Sequence, residues 1–254
     1  MGGDLLPSGL ASLTSLESAQ EGFIQSFLIP EFKELRNKME EDYPAIFIIL
    51  GNDDGRHDES ILIEESKTGI WEYLHNHKIS LNQYSIYGYS FVPPTPFLLK
   101  DWERYDVSRY VDPGAVSPEE GWRSIPVSDY DKKYMTIRDD LSQLVGDDDL
   151  TNAIFLFHSP PHDTKLDLAD IADRSIDAAP LDPHLGSIAI RRFIETRRPL
   201  ITLHGHIHES PRLSGDWKDK IGRTSMFSAA HDGPELALIY FNPDFPDKSY
   251  RRLL

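Results

Sequence analysis

Short apolar runs alternating with helix-period segments place this chain in the α/β class, and three of the runs carry the assignment. AIFIIL at 45–50, NAIFLF at 152–157 and PLITL at 199–203 are continuous and rich in β-branched or aromatic residues. Runs of that kind and length read as strands buried on both faces. Each stops at polar side chains able to bind a metal: Gly51-Asn52-Asp53-Asp54, His158-Ser159-Pro160-Pro161-His162, and His204-Gly205-His206-Ile207-His208. In open α/β sheets, sites lie at the carboxyl ends of strands, where loops raise side chains above a rigid scaffold.

Taken in order, Leu16 to Met39 has Phe23, Phe27, Leu28, Phe32, Leu35 and Met39 at helical spacing, with Pro30 marking a kink or a break. The strand at 45–50 comes next. Ser60 to His77 is mostly helix-like although Gly69 weakens it, and Ser85 to Phe91 reads as a strand. From Val92 to Asp131 six prolines punctuate a stretch carrying Trp102, Tyr105, Tyr110, Trp122 and Tyr130. A loop of that length is either a lid or binding loop, or an insertion packed by its own side chains. Helices are expected over Tyr134 to Val145 and Ser187 to Thr196, the latter with Ile190, Phe193 and Ile194 inward. Further strands are expected near Ser225 to Ala229 and Leu236 to Phe241, before a polar tail. No repeat or composition shift divides the chain, so residues 1–254 read as one domain.

Composition narrows the chemistry. Twenty-six Lys and Arg against 42 Asp and Glu leave a net charge of −16, which repels nucleic-acid backbones and anionic membranes; bulk nucleic-acid binding is not expected. With no cysteine, a metal must be held by His, Asp, Glu, Asn or backbone oxygen, and the ten histidines become the ligands to watch. No run approaches the roughly 20 apolar residues that cross a bilayer. The first residues lack the basic and apolar regions of a secretory signal, so the cytoplasm is the expected location.

The ordered set Gly3-Asp4, Gly51-Asn52, His158 and Gly205-His206-Ile207-His208, with FHSPPHDTKLD and LHGHIHES around the last two, resembles the calcineurin-like metallophosphoesterases. The resemblance spans essentially the whole chain. It implies a central β-sandwich flanked by helices (four-layer αββα) and a site for two divalent ions, commonly manganese, iron or zinc. By position, Asp4 would bridge the ions, Asn52, His158 and His206 would complete one, and His208 would belong to the other. Two cations about 3.5–4 Å apart lower the pKa of a shared water and clamp both oxygens of an in-line displacement at phosphorus. The implied activity is hydrolysis of a phosphomonoester or phosphodiester by metal-bound hydroxide. The acidic chain favours a small substrate, such as a nucleotide, on whose base the loop aromatics would stack.

Two departures shape the expectation. The family's Asp-x-His motif on an earlier strand is missing, because Asp4 stands three residues from Met1. The domain is therefore expected to lack its first strand or strands, to hold one ion loosely, and to keep Asp4 poorly anchored. Asp53 stands where the family usually has a catalytic histidine; it acts as a proton donor only if burial raises its pKa. Arg56, His57 and His162 are candidates to supply the lost positive charge to a substrate. The rival reading is a non-catalytic interaction protein on the same scaffold, using its proline- and aromatic-rich surface to hold a partner.

Overall fold

A computed structural model of the chain describes residues 1–7, 22–171, 175–176 and 179–254. Among them, a π-helical turn, Ile24–Leu28, runs without a break into α1 (Ile29–Met39). Pro30 needs no N–H at the first turn of α1, and the wide turn before it is closed by Ile29 N–H on the Ile24 carbonyl. The wide turn also rotates the later residues of the helix by about 100° per extra residue. The expected stripe is thereby split: Phe23, Leu28 and Phe32 pack on the core, whereas Phe27, Leu35 and Met39 are exposed. The part of that expectation between Leu16 and Glu21 lies outside the described residues.

The run at 45–50 supplies β1 (Phe47–Ile48), parallel to β2 (Glu72–Tyr73). On its other side Gly2 pairs in parallel with Ile49, the Met1 ammonium donates to the Phe47 carbonyl, and Ile49 N–H donates to Met1. The helix expected over Ser60 to His77 is shorter: α2 (Glu59–Ser66) stops at a turn in which Gly69 takes φ +78°. Ile70, Trp71 and Tyr73 then enter the core, and extended backbone pairing with β1 outweighs the helical pattern.

The centre is a six-stranded mixed sheet. β3 (His77–Leu81) and β4 (Tyr84–Tyr89) form a hairpin across Asn82, at φ +54°. After α3 (Asp129–Tyr134) and α4 (Ile137–Val145), β5 (Ala153–Phe157) lies parallel to β4. The short strands β6 (Ser175–Ile176) and β7 (Ala179–Pro180) pair with each other. Then α5 (Ile188–Arg197), capped by the Ser187 side chain, leads into β8 (Ile201–His204), parallel to β5. Past α6 (Ser210–Ser214), β9 (Lys218–Ile221) turns back antiparallel to β10 (Thr224–Ser228), which is parallel to β8. The order is β3-β4-β5-β8-β10-β9. β11 (Ala237–Tyr240) pairs antiparallel with β12 (Tyr250–Leu253), a strand inside the expected polar tail.

Alternate residues of the parallel strands serve two cores, as period-2 geometry requires. Tyr87, Tyr89, Phe155, Phe157 and Met226 pack with Leu141 and Val145 of α4 and Ile190, Phe193 and Ile194 of α5. Ile86, Ile154, Leu156, Ile201 and Phe227 form a second cluster with Ile49, Leu74 and Ile239. Residues 92–131 are an insertion packed by their own side chains. Val92 pairs with Glu103 and Leu99 with Trp122, around a fully buried Lys100–Glu103 ion pair at 2.5 Å. Asp106 fastens it to the start of α5, accepting from Ser187 Oγ at 2.5 Å and Ile188 N–H at 2.7 Å. Trp102 is buried, while Trp122, Tyr110 and Tyr130 are exposed. Among the described residues no helix is long and apolar enough to cross a membrane.

Candidate metal centre

The ends of β1, β5 and β8 meet the chain's first residues beyond the carboxyl ends of the two middle strands of the central sheet. His158 directly succeeds β5, and its N–H donates to the Tyr89 carbonyl at the end of β4. Gly205, one residue beyond β8, donates to the His158 carbonyl. From that point His206 takes φ +71° at the centre of a three-residue turn closed by Ile207 N–H on the Gly205 carbonyl at 2.9 Å. Positive φ in such a turn is strained for a residue with a Cβ, and strain of this kind concentrates at functional sites. Asp4, at φ +52°, carries the same signature.

Asp4 is firmly anchored, contrary to the expectation from its nearness to the chain start. Buried Asp54 accepts N–H groups from Leu5 at 3.0 Å, Leu6 at 2.9 Å and Gly51 at 2.8 Å, and Asp53 N–H donates to Asp4 Oδ1 at 3.0 Å. The two motif glycines let the loops touch. A Cβ on Gly51 would lie 2.6 Å from both Asp4 N and His158 Cε1, and one on Gly3 would lie 2.8 Å from Gly51 Cα. Only glycine fits at either position.

Around this contact, ligand atoms of Asp4, His158 and His206 all lie within 4.8 Å of one another. His158 Nε2 is 3.2 Å from Asp4 Oδ2 and 2.9 Å from Asn52 Oδ1, and His208 Nε2 is 4.0 Å from Asp4 Oδ2. Two ligands about 2.1 Å from one cation at ordinary coordination angles stand roughly 3.0–3.4 Å apart; the His158–Asp4 separation matches this, and with His206 the group could hold one divalent ion. His208, exposed and 4.0 Å from Asp4, is the sole further donor toward a second position among the residues expected to ligate. Hence five of the residues picked from sequence, Asp4, Asn52, His158, His206 and His208, come together.

Electrostatics mark a site short of positive charge. Burial works against charging the Asp4 carboxyl, but the His158 imidazolium beside it wins and holds Asp4 well below the usual carboxylate range. His158 is pushed up despite its own burial, because Asp4 faces Nε2 and the Gly2 carbonyl takes Nδ1 at 2.8 Å. Burial, together with the neighbouring His158 charge, lowers His206 to about 3, leaving its imidazole neutral as a ligand requires. Burial first, and Asp4 second, push Asp53 up and carry Asp54 to about 7. His204 is structural: Nδ1 donates to the Ser159 carbonyl at 2.9 Å and Nε2 accepts from Thr202 Oγ1 at 2.7 Å.

The sequence matches no family profile and no curated relative. Among solved structures the chain is similar to TT1561 of Thermus thermophilus, at 13% identity over 88% of this chain and 79% of that one, with a TM-score of 0.46. It is also similar to a second solved chain at 12% identity, over 96% of this chain and 79% of that one, with a TM-score of 0.49.

The three residues expected to meet a substrate are engaged elsewhere. Arg56 Nε pairs with Glu59 at 3.0 Å, and its guanidinium lies over Trp102 at 5.0 Å. His57 N–H donates to Ser124 Oγ, and its Nε2 is 3.4 Å from Asp58. His162 Nε2 pairs with Asp182 at 3.2 Å, its ring 5.9 Å from that of His184. Asp54 is the residue that sequence reasoning misses. Its signal is an acid directly after the Gly-Asn-Asp turn, but only the fold reveals which amides it receives.

Proposed function

We propose that this chain is a metal-dependent phosphoesterase of the calcineurin-like type, its layers forming that family's sandwich, acting on a small phosphomonoester or phosphodiester. The observation that carries the reading is the convergence of Asp4, Asn52, His158 and His206, from four separate segments, within the span of one divalent ion. Manganese, iron or zinc suits this oxygen and imidazole donor set. When bound, the ion supplies Lewis acidity to a phosphoryl oxygen and to the attacking water.

The chain's own residues do the rest. Asp4 and Asn52 would hold the ion through oxygen and neutral His206 through nitrogen, and the Gly2 carbonyl fixes the His158 ring through Nδ1. Asp53, raised by burial and by Asp4, would hold the proton that the leaving oxygen takes up. His208 stands at the open side of the cluster, beside Asp4, to meet the phosphoryl group or a second ion.

Metal analysis of the purified chain and manganese-stimulated cleavage of an aryl phosphodiester test the reading, with His206→Ala as the control. Tight stoichiometric metal and turnover abolished in His206→Ala are expected; turnover that ignores both metal and His206 overturns it. Asp53→Asn separates its role, since an unchanged pH profile removes Asp53 from proton transfer.

A further inference from the structure

His162 leads away from the metal cluster to a second group of ligand-type side chains. It lies in the loop that follows His158, and that loop runs against the segment leading into α5. Pro161 pairs in parallel with Ser187, His162 N–H donates to the Ser187 carbonyl at 3.0 Å, and Ser187 N–H donates to the Pro160 carbonyl at 2.9 Å. The approach is close enough to need Gly186, where a Cβ would lie 2.7 Å from Pro161 O and 2.8 Å from His162 N. Leu168 pairs antiparallel with His184 on the same segment. Backbone pairing therefore holds both loops in place.

Across this contact the side chains pair crosswise. His162 Nε2 is 3.2 Å from Asp182 Oδ2, and His184 Nε2 is 3.9 Å from Asp163 Oδ1. Each loop thus offers one imidazole and one carboxylate to the other. The two rings stand 5.9 Å apart at 59°, close to the 5.1 Å and 58° of His158 and His206 in the first cluster. Imidazoles bound to one ion through nitrogen at about 2.1 Å place their ring centres roughly 5–6 Å apart. Among the described residues the Asp4 cluster is the one group of three such donors already within the span of a single ion. Closing the second set takes a turn of side chains with room to move: Asp163 and Asp182 are exposed, and the two rings are 25% and 24% exposed.

One histidine is already prepared to bind. His184 Nδ1 lies 2.8 Å from Oδ1 of fully buried Asp167, which also accepts the N–H groups of Asp163, Thr164 and Gly186 at 2.9, 2.8 and 3.1 Å. That bond puts the proton of a neutral ring on Nδ1 and leaves a lone pair on Nε2, the way carboxylates orient metal-binding histidines. The local charge favours a cation. Asp112, reaching over from the insertion, is pushed up by desolvation and then by Asp182. Against the carboxylates of Asp112, Asp163, Asp167 and Asp182, Arg191 is the one Lys or Arg in ion-pair range among the described residues, 2.8 Å from Asp163 Oδ2.

We infer that His162, His184 and Asp182 form a second binding site, for a divalent ion of zinc type, which staples the loop carrying His158 to the segment before α5. The site rests on no part of the phosphoesterase reading. Equilibrium dialysis of the full chain against zinc tests it, with His206→Ala as the parent so that the first cluster lacks a ligand. One zinc per chain is expected in this parent, its affinity falling at least tenfold when His162→Gln, His184→Gln or Asp182→Asn is added. Zinc should also raise the thermal unfolding midpoint of the parent and leave that of the chain with Asp182→Asn unchanged. Asp182→Asn is an exposed change that keeps the Oδ1 acceptor for His184 N–H, so it leaves the fold in place. Absence of zinc in the parent, undiminished affinity with Asp182→Asn, or loss in only one of the two histidine variants overturns the site.

Discussion

The buried Asp54 carboxylate accepts the backbone N–H of Leu6 at 2.9 Å, tying the loop after β1 to the chain's first residues. Leu5 and Gly51 donate to the same carboxylate, so one side chain sets the distance between Asp4 and Asn52. Asp54→Asn replaces one acceptor oxygen by a donor that faces these N–H groups. Unfolding in urea should register a loss of about 1–3 kcal/mol, the cost of a buried polar group left unpaired. Metal affinity should fall at least tenfold, read by calorimetry on the folded variant.

Gly51→Ala tests the close approach of the two motif loops. Its Cβ would meet Asp4 N and His158 Cε1 at 2.6 Å; the first is backbone, and the His158 ring is held through both nitrogens, so neither can swing aside. Destabilisation of about 1–3 kcal/mol is expected from the overpacking. Metal affinity should drop more than in a surface variant such as Lys133→Ala, and equal affinities would refute this account of the glycine.

His158 Nδ1 donates to the Gly2 carbonyl, so when Asp4 keeps the ring charged the second proton sits on Nε2, where a cation must displace it. Below the raised pKa, metal uptake should release about one proton, and affinity should rise up to about tenfold per pH unit. Titrations at pH 6 in buffers of different ionisation enthalpy read the proton directly. The same release in His158→Gln would assign it to another group.

His204 is buried neutral, with its pKa lowered from 6.5 to about 4 by desolvation. Its contribution to stability is complete above pH 6.5 and is lost as pH falls toward 4, since only the unfolded chain takes up the proton in that window. Wild type should therefore lose about 3 kcal/mol relative to His204→Gln over that span, by 1.36 kcal/mol per pKa unit. Denaturant unfolding of both chains at several pH values gives this difference, and parallel curves would show that His204 titrates normally.

Residue order is enough to locate the buried strands and the ligand types at their ends. Continuous apolar runs such as 153–157 admit little else, and a Gly next to His or Asn is a local signal of close backbone approach. It is not enough for β9 or β12, whose charged residues lie at the margins and are recruited by pairing. Which ligands meet is settled by the folded chain alone. Asp4 reaches the cluster because Asp54, 50 residues away, receives the amides that come after it, and Arg56, four residues past Asn52, faces a different hollow from its ligand neighbour. Such choices depend on long-range hydrogen bonds and side-chain direction, which residue order along the chain does not encode locally.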